Sequence, residues 1–334
     1  MQLKTINQQV VAVVGASSGI GRVTSLEFAR RGAKVVVSAR GESKLKSLVE
    51  EIHSFGGDAT YVVGDVQVFE QVKAIADQTV EIYGRLDTWV HLPAISLFAL
   101  FEDITPEEFK RIIDVNLMGQ VYGAMAALPH LKREGRGALI HISSIEGRRA
   151  FPYQSAYSAA KHGIEGFVEA MRVELQHEKI PVSVTSIKPA VINTPFWNNA
   201  RTKLGVKPSG IPPYYDPKLV ADAILYAAEH PTRDLLVGDA AKVLDLLQRL
   251  SPSLVDSLLL LIGFNLQRTE ESKSEDAPNN FYQPVSEEDR VDGDFNNLVI
   301  PSVSDILDQN PLLTLGAIAG TVALAFITAQ SFKK

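Results

Sequence analysis

The sequence predicts an α/β chain: a doubly wound parallel sheet in a single domain, followed by a C-terminal extension. Three observations carry this. Short, continuous apolar runs alternate with helical stretches between about residues 7 and 240. A glycine-rich turn stands between the first run and the first helix. Past residue 240 the alternation gives way to an apolar helical stretch, an acidic stretch and an uncharged tail.

The elements follow in order. Val10, Val11, Val13 and Val14 make a strand apolar on both faces, as the interior of a parallel sheet demands. A helix then runs to Arg31, with Gly32 placed to end it. Lys34 to Ser38 reads as a strand, Ser43 to Ser54 as a helix, Tyr61 to Val63 as a strand and Val68 to Tyr83 as a helix. The strand Thr88 to Leu92 precedes one long helix from Pro106 to Leu131. Ala138 to Ile142, Val182 to Ile187 and Leu235 to Val237 complete the strands, with helices at Ala156 to Gln176 and Lys218 to Glu229. Alternation at this spacing implies right-handed crossovers. No solenoid-type repeat interrupts it.

Residues 1–250 are expected to form the folded domain and 251–267 an apolar helical extension, densest at Leu258 to Ile262. Residues 268–297 carry nine acids against three bases, a local excess equal to the net charge of -6 of the whole chain. Few branched apolar residues accompany them, so 268–310 is expected to be a disordered, solvated linker. Leu312 to Ala329 are 18 residues without a charge. As a helix they span about 27 Å, close to a hydrocarbon core of about 30 Å. Gly316 and Gly320 have the small-xxx-small spacing of packed membrane helices, and Lys333 and Lys334 suit headgroups. A transmembrane helix is therefore expected over 311–332; the alternative is a helix docked on the body or on a partner.

The 334 residues are 46% hydrophobic and 22% charged, enough to stock a core. The slightly acidic balance gives nucleic-acid binding no support. With no cysteine, a disulfide scaffold, a thiolate nucleophile and a Cys-based zinc site are excluded, and no metal ligand set is picked out. The first residues, Met1 to Ile6, lack the apolar run of a cleaved signal peptide.

Val14 to Gly21 places Gly15, Gly19 and Gly21 in a G-x-x-x-G-x-G turn between strand and helix, the context a dinucleotide site requires. Gly15 suits the tight turn, Gly19 lets backbone approach a pyrophosphate, and Gly21 permits close packing of helix on sheet. The helix start then offers N–H groups to phosphates. At the end of the second strand stand Ser38, Ala39 and Arg40. An acid for a ribose 2′-hydroxyl is missing, and Arg40 can pair bidentately with a 2′-phosphate, so NADP(H) is expected over NAD(H).

Tyr157 and Lys161, four residues apart, share one helix face. An ammonium near a phenol lowers its pKa towards the range useful for proton transfer to a carbinol oxygen. Such a pair alone is often just surface. Here Ser144 ends the fifth strand thirteen residues upstream, at the edge where such sheets bind ligands. Its hydroxyl can donate to an oxygen gaining negative charge. Asn116 lies inside a helical pattern, where Asn is unfavourable without a reason.

On these residues the chain resembles the short-chain dehydrogenase/reductase family over about residues 7 to 240. The resemblance implies a Rossmann-like sheet and an oxidoreductase with the tetrad Asn116, Ser144, Tyr157 and Lys161. Tyr157 would exchange the proton, Ser144 hold the substrate oxygen, Lys161 bond the nicotinamide ribose and Asn116 hold a water. It also implies cofactor contacts from Gly15, Ser17, Ser18, Gly19, Ile20 and Gly21, from Asp65 and Val66 on the adenine side, and from Pro189, Ile192 and Thr194 on the nicotinamide side. Three departures stand out. Val14 replaces a threonine before the first glycine, His91-Leu92-Pro93-Ala94 replaces an Asn-Asn-Ala-Gly motif, and Ala190 replaces a glycine. His91 takes the place of an Asn that ties neighbouring strands, and reads as a structural substitute.

Pro195 to Asp216, with Phe196, Trp197, Tyr214 and Tyr215, is long for a connection and is expected to cover the substrate. Arg148 and Arg149 suggest an anionic group or plain surface; Phe98, Phe101 and Phe151 an apolar pocket or core. The expected function is an NADP(H)-dependent oxidoreductase acting on a small carbonyl compound or alcohol, a lipophilic one suiting the membrane anchor, with the alternative of a non-enzymatic NADP(H)-binding scaffold at a membrane. Family likeness implies a homodimer or homotetramer through the helices at 106–131 and 156–176. Membrane attachment through 312–332 with the catalytic domain in the cytoplasm completes the expectation.

Overall fold

β1 (Val10–Val14) is buried along its whole length and lies in the interior of the sheet. Its side chains alternate between two cores: Ala12 and Val14 face one, Val11 and Val13 the other. β2 (Lys34–Ala39) repeats the pattern, with Val36 on the first face and Val35 and Val37 on the second. Each fully buried valine contributes about 1.5–3 kcal/mol, offset by the conformational entropy lost on folding. That is why continuous apolar runs, and not half-polar ones, mark these strands.

The computed structural model describes residues 1–285 and 289–303. The remaining strands of the sheet are β3 (Asp58–Val63), β4 (Thr88–His91), β5 (Gly137–Ile142), β6 (Val182–Pro189) and β7 (Asp234–Val237). All pairings are parallel, in the spatial order β3-β2-β1-β4-β5-β6-β7. One face carries α1 (Gly19–Arg30), α2 (Glu42–Ser54) and α7 (Pro217–Glu229), which supply Leu26, Leu48 and Ile224 to its core. The other carries α3 (Phe69–Tyr83), α5 (Gly119–Arg133) and α6 (Ser155–His177), with Ile75, Ala127 and Ile164. The Rossmann-like, doubly wound fold is thus present. Its chain order reverses between β1 and β4, and a crevice opens there at the carboxyl ends of the strands.

The helix expected as one piece over 106–131 is three. α4 (Pro106–Ile113) starts on a capping box, with Thr105 Oγ1 accepting from Glu108 N and Glu108 Oε2 from Thr105 N. A π-turn at Asp114–Met118 separates it from α5. The extra residue of a π-turn re-aims the side chains within it, here Asn116.

The larger correction concerns the acidic segment, which was expected to be a disordered linker. Arg268–Ser272 is a strand paired antiparallel with Val206–Pro208. Phe281 is fully buried and joins the core on the face of the sheet that carries α3, α5 and α6. The segment's acids find bases that lie far away in sequence: Asp294 and Glu271 meet Lys207 at 2.6 and 3.2 Å, and Glu275 meets Arg201 at 2.6 Å. Among the described residues no helix is long and apolar enough to cross a membrane. The span expected over 311–332 lies outside the described residues.

Between β7 and this segment, α8 (Asp239–Leu250), α9 (Pro252–Leu258) and a π-turn at Leu259–Gly263 form a hood over the carboxyl end of β6.

Candidate active site

The turn after β1 is shaped by its glycines. Gly15 (φ +88°) donates its N–H to Ser38 O at 2.8 Å, and a Cβ there would stand 2.9 Å from Pro93 N. A Cβ on Gly21 would stand 2.1 Å from Gly15 O, so only glycine lets α1 start this close to β1. From this turn runs a groove of about 220 Å³. Ser17, Ser18, Gly19, Ile20, Arg40, Asp65 and Val66 all line it, together with Gly15 and Gly21, as the sequence predicts. Leu92, Pro93 and Ala94 form the opposite wall.

At one end the groove opens into a pocket of about 130 Å³ that takes in Ser144, Tyr157, Lys161, Pro189, Ile192 and Thr194. Here the order of hydrogen bonds matters. Ser144 Oγ accepts from Glu146 N at 3.0 Å, which leaves its hydrogen free to be donated. Burial pushes the Tyr157 phenol well above its ordinary range and the nearby Glu146 adds to this, while the Ser144 hydroxyl works the other way. Lys161 does not reach the phenol oxygen with its ammonium. It donates to Ile142 O at 2.8 Å and lies 5.4 Å from the Tyr157 ring centre. Burial lowers the Lys161 ammonium to about 8 against the pull of Glu146 and Glu165.

Asn116 stands apart from both cavities. Its side chain closes on the backbone of Ile95, accepting from Ile95 N at 2.9 Å and donating to Ile95 O at 2.8 Å. The π-turn thereby clamps the chain that leaves β4, and the amide has no hydrogen bond to Ser144, Tyr157 or Lys161. Of the four aromatic residues expected to cover the substrate, two sit at the pocket and two do not. Phe196 and Trp197 line the catalytic pocket, but Tyr214 and Tyr215 are fully buried, their hydroxyls accepting from Gly210 N and Ala240 N. Phe151 lines the pocket, Phe98 packs on Trp197 in the core, and Phe101 is 72% exposed. Arg148 and Arg149 are neither free surface nor an anion site. They tie the hood down, Arg149 to Asp256 at 2.5 Å and Gln248 at 3.2 Å, Arg148 to Asp245 at 3.8 Å.

Two features escaped the sequence reading. Glu146 is buried beside Ser144 and Tyr157, takes a hydrogen bond from Ser158 Oγ at 2.6 Å, and has its carboxyl raised to about 8 by burial. Nothing in a Ser-Ile-Glu run marks the acid as buried. The second is the segment after Ala277. Asn280, Pro284 and Val285 line the cofactor groove. Arg40 donates to Asn280 O at 2.8 Å and Tyr282 O at 3.1 Å, and Gly19 N donates to Arg290 O at 3.0 Å.

Residues 9–205 match the family model of the short chain dehydrogenases. The chain belongs to this family. An uncharacterized oxidoreductase of Bacillus subtilis, YxnA, is 43% identical over 272 residues, which are 81% of this chain and 76% of the relative. Tetrahydroxynaphthalene reductase of Pyricularia oryzae is 35% identical over 199 residues, 59% of this chain and 69% of that one. Among solved structures, an alcohol dehydrogenase of the archaeon Thermococcus sibiricus complexed with 5-hydroxy-NADP superposes with a TM-score of 0.60. It is 26% identical and covers 68% of this chain and 95% of its own.

A short chain dehydrogenase is an oxidoreductase that binds a nicotinamide cofactor, and the groove suits one: its glycines leave a cradle that any Cβ would fill. The strand tie lost with His91 is replaced in this member. Gln120 Nε2 donates to His91 O at 3.0 Å and Ile142 O at 3.3 Å, joining the ends of β4 and β5, while its Oε1 meets His141 Nδ1 at 2.7 Å. His91 is fully buried, and burial drives its ring well below the ordinary imidazole range. The ring is neutral. A Cβ at Gly123 would stand 2.4 Å from His91 Nδ1, so α5 has a glycine where the larger ring needs room.

Proposed function

We propose that this short chain dehydrogenase is an NADP(H)-dependent carbonyl reductase or alcohol dehydrogenase with Tyr157 as general acid and base. The observation that carries the reading is the placement of Tyr157 and Ser144 together in a pocket continuous with the cofactor groove. When bound, the nicotinamide supplies or accepts the hydride. Ser144 donates its hydroxyl hydrogen to the substrate oxygen, its own lone pair already engaged by Glu146 N. Tyr157 delivers the proton to that oxygen in reduction and removes it in oxidation. Burial keeps the phenol protonated in this state, so it holds the proton that reduction consumes, and positive charge nearby is what would bring it towards the useful range. Lys161 brings a cation to the same buried wall, where it stabilises negative charge at the phenol and suits a ribose hydroxyl.

The preference for NADP(H) rests on Ala39 and Arg40, with no acid at the end of β2 and a guanidinium in the groove. Met125 on α5 and Val173 on α6, both exposed, support pairing of copies through these helices.

Purified full-length protein is expected to oxidise NADPH with a panel of aldehydes and ketones, more efficiently than NADH. Tyr157→Phe is expected to lose about 100- to 10,000-fold in kcat. Wild-type turnover by that variant would remove Tyr157 from the mechanism. The engagement of Gly19 and Arg40 by the chain's own carbonyls favours a second reading, a cofactor-sensing scaffold without turnover. NADPH binding with no reaction on any carbonyl would select it.

A further inference from the structure

A third cavity, of about 280 Å³, lies beneath α8 and α9 and has no part in the reading above. The catalytic pocket shares Ile145, Phe151, Ala190, Val191 and Ile211 with it. The cofactor groove shares none of its lining residues, so the catalytic pocket stands between the two. We propose that this chamber seats the apolar tail of the substrate, and that the substrate is a medium- or long-chain alkyl carbonyl compound or its alcohol. The inference rests on the oxidoreductase reading of Tyr157 and names the substrate class of that site.

Every residue lining the chamber is apolar. Water needs two to four polar partners to be held in a cavity, and no side chain here offers one. A void of this size lined by carbon is costly to leave unfilled, because its walls forgo their dispersion contacts. The hood explains why the void persists. Leu244, Leu247, Leu259 and Ile262 are only half-buried and join neither of the two cores that flank the sheet. The hood is held to the body by the Arg149 bonds to Asp256 and Gln248, polar ties that fix it without closing the space beneath. Leu258 lines the chamber and is also 40% exposed, with Leu260 and Leu261 each 74% exposed close by. The chamber thus has an apolar mouth. A chain threaded through it brings its functional end past Phe151 to Tyr157 and Ser144.

The test uses the full-length chain and the n-alkanols from butanol to dodecanol. Binding without cofactor is read from intrinsic fluorescence, since Trp197 lines the catalytic pocket. Affinity is expected to rise about two- to fourfold per added methylene, the upper value being full transfer out of water. The corresponding n-alkanals with NADPH should show the same slope in kcat/KM. Leu247→Trp, which fills the chamber, is expected to flatten both slopes. Chain-length independence in the wild type, or an unchanged slope in Leu247→Trp, overturns the proposal. Alkanols that bind with the expected slope while no aldehyde is reduced would leave the chamber standing and sink the oxidoreductase reading. Tyr157-dependent reduction of short and long aldehydes alike would do the reverse.

Discussion

Beside Tyr157, the carboxyl of Glu146 is buried and raised to about 8, from about 4.5 in the unfolded chain. Between those two values the folded chain binds one more proton than the unfolded chain, so this group makes stability fall as pH rises from about 5 to about 8. A displacement of this size amounts to a few kcal/mol, on the order of 1.4 kcal/mol per pH unit. Glu146→Gln removes it, and the Tm of that variant is expected to decline less than that of the wild type over the same range. Parallel melting curves of the two proteins from pH 5 to 8 would contradict the assignment. Spacing alone singled out Ser144, Tyr157 and Lys161, a hydroxyl at a strand end and a phenol and an ammonium one helical turn apart, and the fold brings the three to one pocket. Spacing did not reach Glu146, whose burial is a product of tertiary packing. Asn116 is odd inside a helix for a reason the fold supplies: its amide closes on the backbone of Ile95.

At the scale of elements, the strands were legible because each is buried on both faces and so wears its position as an unbroken apolar run. The acidic segment was not. Its excess of acids signals solvation when counted locally, but its partners Lys207 and Arg201 come from the connection after β6, 74 to 87 residues upstream. Its apolar anchors include Phe281, buried near the Arg201 guanidinium with Tyr282 beside it, and Phe295, stacked on Tyr214 at 4.6 Å. The element lies over the cofactor groove, and its carbonyls take the N–H of Gly19 and two donors of Arg40. Phosphates that need these donors must displace the carbonyls. One displaced hydrogen bond is worth about 0.5–1.5 kcal/mol. Loosening the segment with Phe281→Ala is therefore expected to tighten NADPH binding about two- to tenfold, measured by titration of NADPH fluorescence. A weaker affinity in that variant would mean that the segment holds the cofactor in place.

For the molecule as a whole, three cavities succeed one another along the carboxyl edge of the sheet: a glycine-lined groove, a small catalytic pocket and an apolar chamber. The first two follow from the topology, since the chain reverses between β1 and β4 and brings the glycine turn against Leu92 to Ala94. The third depends on how the hood rests on the body, which no local pattern foretells. In an active oxidoreductase, hydride must reach a carbonyl carbon in the middle cavity. The direct measurement is reduction of a long-chain aldehyde with NADPH deuterated at the nicotinamide C4, followed by mass analysis of the alcohol. The wild type is expected to place deuterium on the carbinol carbon, and Tyr157→Phe to place little or none in the same time. Wild-type protein that binds the cofactor but yields no deuterated alcohol from any carbonyl compound would contradict the oxidoreductase reading.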